Sequence, residues 1–198
     1  TAGAGRRRWG LGALVFGLAS VLYAIITVVP LVVPDRQKRF LAEVDRQIAQ
    51  KSYAQAERQL RARLADGAAG SEYALRLGIC QSMQGRYEAA RQTFDQALAR
   101  QPDEPRLLYN RALLDYRQGS YSEALRRLER LAKLAPYFPG VHYHMGRVHE
   151  IQDRPDRALQ CYVAELNIDP ASSSTWRRYL YLVRELRKDQ SSRSADSR

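Results

Sequence analysis

The chain has 198 residues, which is room for one domain and an appendage, and its formal net charge is +11. With 45% hydrophobic and 27% charged residues the composition excludes wholesale disorder, and only 12 Gly and 8 Pro favour helices over an all-β fold. Two cysteines are too few for a disulfide framework.

The first part of the chain has the pattern of a single membrane-spanning helix. Residues 9–34 carry no charge, and 26 residues in a helix would extend about 39 Å, enough to cross a bilayer core with some tilt. A basic flank at residues 1–8 precedes this segment, and Trp9 stands where an indole would meet the lipid headgroups. A cleaved secretory signal is the alternative, but the apolar run is long for one and no small-x-small pattern closes it.

One face of the predicted span carries small residues at helical spacing, which would let a second helix approach closely. These residues are Ala13, Gly17, Ser20 and Ala24. They predict a packing face for a neighbour within the membrane. The alternative is that they only reflect how common small residues are in such helices.

The charges beside the predicted span do not fix its orientation. Basic residues 6–8 precede it, and Arg36, Lys38 and Arg39 follow it, so the positive-inside rule does not decide. Because long domains cross a membrane largely regardless of their charge, we favour a cytoplasmic N-terminus, or its organellar equivalent, with the large domain across the membrane.

From residue 37 onward the sequence repeats with a period of 34 residues. Columns of tyrosine, alanine and proline keep this spacing, and a further column holds small residues. The columns are Tyr53, Tyr87 and Tyr121; Ala56, Ala90, Ala124 and Ala158; Pro102, Pro136 and Pro170; and Gly78, Ala112 and Gly146. A period of this length is typical of proteins in which each unit stacks on its neighbours.

These columns resemble the tetratricopeptide repeat, whose pattern places a large apolar residue, then Leu and Gly, later Ala, an aromatic residue and finally Pro. The resemblance covers residues 35–188 and implies an all-α fold, in which an α-solenoid of stacked helix pairs follows the N-terminal transmembrane helix. The predicted units are a degenerate repeat at 37–70, repeats at 71–104, 105–138 and 139–172, and a capping helix at 173–188.

A few positions depart from the repeat pattern. Arg111 stands where Leu is expected, and Lys51 does not match in the degenerate unit. Asp153 and Pro155 depart from the turn pattern, which leaves the start of the last repeat's second helix open. Beyond the capping helix, residues 189–198 contain no apolar side chain large enough to pack and are predicted to be disordered.

In solenoids of this family the first helix of each pair lines the concave side, so the resemblance makes its non-core residues the candidate contacts. In this chain they are mainly basic and aromatic: Arg76, Arg106, Tyr109, Asn110, Tyr116, Arg117, Tyr143, His144, Arg147 and Arg177. Arginine forks bind carboxylates and tyrosines offer broad contact area, so the set predicts a groove for an extended, acidic or carboxylate-bearing peptide. We expect Arg76, Asn110 and Arg147 to provide polar anchoring. The alternative is an ordinary solvated face in an arginine-rich protein.

The sequence gives little support to other kinds of function. His142, His144 and His149 lack the i+4 spacing that aligns two metal ligands on a helix, and His142 falls in a core column. No phosphate loop, nucleophile elbow or isolated carboxylate pair is present, so we predict no enzyme, cofactor or small-molecule substrate. Nucleic acid favours a continuous basic surface, but the net charge is +4 over residues 105–138 and −2 over residues 139–172. We therefore predict no nucleic-acid partner.

Together these features predict a membrane-anchored adaptor that binds other proteins. Its layout, an anchor followed by repeats, resembles that of bacterial inner-membrane and thylakoid assembly factors, including photosystem assembly factors. The resemblance implies a role in assembling or stabilising a large membrane complex by binding acidic segments of its subunits. A permanent accessory subunit of such a complex is one alternative, and a binder of anionic membrane surfaces is another.

Overall fold

The computed structural model describes residues 36–66 and 70–196 of the chain. Within these ranges every regular element is an α-helix, and no strand occurs. The helices are α1 (Arg36–Ala49), α2 (Tyr53–Ala65), α3 (Ser71–Met83), α4 (Tyr87–Arg100), α5 (Pro105–Arg117), α6 (Tyr121–Leu134), α7 (Val141–Ile151), α8 (Pro155–Ile168) and α9 (Ser173–Asp196). The described residues divide between Lys51 and Ser52 into two units, the first with α1 and the second with α2 to α9.

In the first unit, α1 is an amphipathic helix whose buried side chains, Val44 and Gln47, lie three residues apart on one face. Glu43 accepts a hydrogen bond from Nε2 of Gln47 at 3.3 Å and pairs with Arg46.

The predicted membrane span at 9–34, including its packing face, lies outside the described residues. Within the described ranges, no helix combines the length and the apolar character that crossing a bilayer requires.

In the second unit the helices pack in a regular order. α3 with α4, α5 with α6 and α7 with α8 form pairs joined by short turns. α2 packs on the first pair and α9 on the last, and neighbouring pairs meet through α4–α5 and α6–α7. The first helices of neighbouring pairs also contact one another, α3 with α5 and α5 with α7. This arrangement confirms the all-α solenoid of tetratricopeptide type.

A small residue on the first helix of each pair makes room for a large one on the second. The three combinations are Gly78 with Phe94, Ala112 with Leu128, and Gly146 with Tyr162. A β-carbon added at Gly78 would lie only 2.5 Å from Cζ of Phe94, so the ring fills the space that the absent side chain leaves. The helices of a pair therefore approach closely while the core stays filled.

The turns keep one backbone geometry even where the sequence departs from the repeat. Gly85 and Gly119 have positive φ angles of 76° and 78°, and Asp153 adopts 54° at the same repeat position. Lys51, at that position of the degenerate unit, has a φ of 60°. Pro155 is then the first residue of α8, where a missing backbone N–H costs little. The second helix of the last repeat, which the sequence left open, is therefore formed.

Arg111, which stands where the repeat pattern expects leucine, belongs to a buried charge network. Its guanidinium donates to Asp115 on α5 and, from Nε, to Oδ1 of Asp95 on α4 at 2.8 Å. Asp115 also accepts from Nε of Arg127 on α6 at 2.8 Å. The side chains of Arg111 and Asp115 are 5% and 6% exposed. The network, called the Arg111 network below, therefore connects three helices inside the core.

The last helix is longer than the sequence predicts. α9 continues to Asp196, whereas we expected a capping helix to residue 188 and a disordered tail at 189–198. The segment after Lys188 contains neither proline nor glycine, so no residue in it stops the helix. Near the start of α9, Thr175 is buried and its Oγ1 lies 2.8 Å from Oγ of Ser172.

Candidate protein-binding face

The predicted contact residues lie on the first helices of the pairs and on α9. Because α3, α5 and α7 contact one another directly, they line the inner wall of the second unit's stack. Their exposed and half-buried side chains therefore share one surface, here called the inner face.

Four aromatic rings meet on the inner face. Tyr109 and Tyr116 come from α5, and Tyr143 and His144 come from α7. The centroid of the His144 ring lies 5.8 Å from those of Tyr109 and Tyr116 and 5.1 Å from that of Tyr143, each in edge-to-face geometry. All four were predicted contact residues, and the structure brings them together in what we call the tyrosine cluster.

A buried carboxylate from α8 holds the start of α7. Glu165 is 2% exposed and accepts hydrogen bonds from the backbone N–H groups of Gly140 at 2.6 Å and Tyr143 at 3.3 Å. N–H groups in the first turn of a helix have no partner within it, so Glu165 provides this cap from a second helix. Gly140 has a φ of 85°, and a β-carbon there would lie 2.5 Å from Oη of Tyr109. Both features position the tyrosine cluster.

Two arginines lie beside the tyrosine cluster. Arg147 on α7 interacts with the side chain of Tyr143 on the same helix, yet its Nε is buried without a partner within the described residues. Arg117, at the end of α5, is exposed and donates to Oγ of Ser82 at 2.9 Å. Nδ1 of His144 is also buried without a partner.

Two rings of the cluster, His144 and Tyr109, are uncharged at neutral pH. Burial lowers the pKa of His144 to about 4, and the nearby Arg147 and Arg117 act in the same direction. Burial, with Glu165 and Tyr143, raises the pKa of Tyr109 to about 12. The positive charge beside the rings therefore comes from the two arginines.

Replacing His144 with phenylalanine is expected to make the protein less sensitive to acid. The imidazole titrates near 6.5 in the unfolded chain and near 4 in the folded one, so unfolding takes up a proton between these pH values. The stability present above pH 6.5 is therefore lost as the pH falls, by about 2 kcal/mol at pH 5 from this group. Urea unfolding at pH 7 and pH 5 measures this loss, which should shrink in the variant.

The control for this experiment is His142→Phe, which changes a half-buried histidine of the same helix. It makes the same change of residue type on the same helix, so a loss that shrinks only in His144→Phe assigns the effect to His144. An equal pH dependence in His144→Phe and the unmodified chain would show that His144 does not carry the effect.

The remaining polar residues predicted for anchoring are engaged within the protein. Glu72 on α3 pairs with Arg76 on the same helix and with Nη1 of Arg106 on α5 at 2.8 Å. Asn110 donates to the carbonyl oxygen of Arg106, also at 2.8 Å. Of the three residues expected to provide polar anchoring, Arg147 lies beside the tyrosine cluster, whereas Arg76 and Asn110 each bond to the residue four positions earlier on their own helix.

An ion pair connects α7 to α9. Glu150 on α7 pairs with Arg178, whose Nε lies 3.1 Å from Oε1, and it accepts a hydrogen bond from the hydroxyl of Tyr162. Arg178 therefore joins α9 to α7. Arg177, the predicted contact on α9, is exposed and lies outside the tyrosine cluster.

The histidine that packs in the core differs from the one predicted. His149 is 6% exposed, whereas His142, which falls in a core column of the sequence, is only half-buried.

Two residues that support the tyrosine cluster, Glu165 and Gly140, are not among the residues predicted from the sequence. Glu165 occupies the repeat position of the buried Leu131, and a carboxylate in an apolar column was the available signal.

Comparison with protein families gives a direct match. The family model for the tetratricopeptide repeat matches residues 41–105 and 109–173, which is more than half of the chain. No match was found among curated proteins.

Several solved structures of MamA share the fold. MamA 41-end from Desulfovibrio magneticus RS-1 is 20% identical, with a TM-score of 0.64 over 82% of this chain and 90% of that one. MamA AMB-1 is also 20% identical, with a TM-score of 0.59 over 79% of this chain and 92% of that one. At this identity the likeness concerns the fold alone. The match to the family model shows that the chain belongs to the tetratricopeptide-repeat family, whose stacked helix pairs mediate protein–protein interaction.

Proposed function

We propose that this chain is a membrane-anchored scaffold that binds an extended, acidic segment of a partner protein across the tyrosine cluster, beside Arg117 and Arg147. The partner is a subunit of a larger membrane complex, such as a photosystem or another bacterial membrane complex. Binding helps to assemble or stabilise that complex.

The observation that carries this proposal is the tyrosine cluster, in which four rings from α5 and α7 meet beside two arginines. The guanidinium of Arg117 is exposed, and a carboxylate of a bound segment would accept hydrogen bonds from it. The tyrosine rings add apolar contact area around these polar positions.

An anchor at residues 9–34 would hold this binding face beside other proteins of a bacterial inner membrane or a thylakoid membrane. A scaffold confined to the membrane meets other membrane proteins at a high effective concentration. Weak contacts at the tyrosine cluster would then be enough to hold an assembling subunit.

The double variant Arg117→Glu/Arg147→Glu tests the proposal. Two carboxylates would repel the acidic segment, so the partner is expected to fall at least about tenfold in abundance among the proteins that co-purify with the full chain, a loss of about 1.4 kcal/mol. Gentle solubilisation followed by quantitative mass spectrometry measures this ratio.

The matched control is Arg100→Glu/Arg126→Glu, which makes the same charge change at exposed positions on the second helices α4 and α6. It should leave the partner's abundance unchanged. Circular dichroism checks that both variants fold, and Arg147→Gln replaces the double variant if it does not. A folded Arg147 variant that keeps its partner at the original level would refute the proposal.

A further inference from the structure

One face of α9 is apolar and exposed. Trp176 and Leu180 are 43% and 58% exposed, and the half-buried Val183 continues the line at i+7. This spacing places the three residues, called the α9 stripe, on one side of the helix. Among the described helices α9 packs against α8, with Thr175 buried and Arg178 directed to Glu150 of α7.

The repeat register shows what covers this face elsewhere in the protein. Leu180 lies 34 residues after Gly146 and occupies the same position of the repeat. Gly146 faces the second helix of its pair, because a β-carbon there would lie 2.6 Å from Cε1 of Tyr162. The equivalent Gly78 faces Phe94 in the same way. Leu180 therefore stands where each complete pair receives its second helix.

The position of Val183 leads to the same conclusion. Its equivalents in the first two complete pairs are Gln81 and Asp115. Gln81 accepts a hydrogen bond from Thr93 on α4 at 2.8 Å, and Asp115 accepts from Arg127 on α6 at 2.8 Å. Both contacts join a first helix to the second helix of the same pair. The α9 stripe is thus the face of a first helix without its second helix in the described part of the chain.

The charges around the stripe define the kind of helix that fits. Residues 173–188 carry a net charge of +4, and Arg184, Arg187 and Lys188 line a groove of about 540 Å³ with Leu180 and Val183. A second copy of the chain would bring arginines against arginines, which disfavours self-pairing. An occupant with acidic side chains beside its apolar residues would instead complement this face.

The size of Leu180 sets a further requirement. In the complete pairs glycine faces a phenylalanine or tyrosine ring, and alanine faces leucine, so one side is small when the other is large. On α9 the large residue, Leu180, stands on the first helix instead of the second. A helix that packs on it at the same distance must therefore carry a small residue, alanine or serine, at the position that Tyr162 holds in α8.

We infer that the α9 stripe is a docking site for an amphipathic α-helix of another protein, with a small residue opposite Leu180 and acidic residues on its flank. The docked helix completes the last pair of the solenoid. This site is separate from the tyrosine cluster, and it adds a second binding surface to the scaffold.

A synthetic peptide supplies the probe. It has the sequence of residues 155–168 with Arg157→Glu, Cys161→Ser and Tyr162→Ala, and it carries a fluorescent label. Fluorescence anisotropy measures its binding to the full 198-residue chain. We expect saturable binding, and at least about tenfold weaker binding of the same peptide with Tyr162 retained, because that ring overlaps Leu180.

Variants of the protein locate the site. Leu180→Glu, at an exposed position, is expected to weaken binding at least about tenfold by placing a carboxylate in the stripe. Arg184→Glu/Arg187→Glu should weaken it by a similar factor, because acidic side chains of the peptide would then face carboxylates. Tyr137→Glu, which changes a residue that is 84% exposed in a turn, is the control and should bind normally. Arg147→Glu should also bind normally, which separates this site from the tyrosine cluster.

Three results would overturn the inference. The first is the absence of saturable binding of the probe. The second is equal binding of the probe by Leu180→Glu and the unmodified chain. The third is evidence that the stripe binds something else while the probe does not bind. Sedimentation would then show either that the chain self-associates or that it binds anionic vesicles, and Leu180→Glu would abolish that interaction.

Discussion

Replacing Asp115 with alanine is expected to lower the free energy of unfolding by about 3 kcal/mol, since removing one partner of a buried ion pair leaves an uncompensated charge. Asp115 is 6% exposed and accepts from both Arg111 and Arg127. Without it, the buried guanidinium of Arg111 keeps only Asp95, whose side chain is 49% exposed. Urea unfolding followed by circular dichroism measures the loss.

The chain offers both a control and a rescue for this variant. Asp103→Ala removes the carboxylate of an exposed pair with Arg130 on α6, and it should leave the unfolding midpoint unchanged. The double variant Arg111→Leu/Asp115→Gln copies the residues that α3 carries at the same positions, Leu77 and Gln81. It should recover most of the loss, because the buried arginine is gone. A double variant as unstable as Asp115→Ala would show that the charge network is not the cause.

Gly78→Ala is expected to destabilise the protein by about 2 kcal/mol, although the same change inside a helix ordinarily stabilises by up to about 1 kcal/mol. The sign is reversed because the added methyl group would overlap the ring of Phe94, which is itself only 1% exposed in the core. Thermal and urea unfolding measure the change.

Phe94→Leu provides the rescue for Gly78→Ala. The double variant reproduces the combination of Ala112 and Leu128 in the next pair, so alanine is tolerated once the facing side chain is smaller. We expect a favourable coupling energy of about 1 kcal/mol or more between the two changes. Additive effects would contradict direct contact between these positions as the source of the destabilisation.

The fold could be predicted from the sequence because its signals repeat. The 34-residue columns give several independent readings of the same position, so the departures at Arg111 and Asp153 did not obscure the helix pairs. The sequence leaves the turn at Asp153 open because Asp153 and Pro155 depart from the repeat's turn pattern. The structure keeps the turn, with a φ of 54° at Asp153, and α7 packs on α8 as the helices of the other pairs do.

The candidate site was harder to predict than the fold. The sequence identifies which residues lie on first helices, but it does not show which of them interact with one another. Arg76 and Arg106 looked equivalent to Arg147, yet both pair with Glu72, which lies at the same repeat position as Arg106. The surroundings of His144 also depend on rings contributed by two helices, a contact that no spacing within α7 reveals.

The carboxylate of Glu165 has a mechanical consequence for ligand binding. It joins α8 to the first turn of α7 through the N–H groups of Gly140 and Tyr143, next to the rings that a ligand would touch. A pull on Tyr143 would therefore load α8 through Glu165 as well as the first turn of α7. A segment bound as proposed would then be held by two helices rather than by one helix end.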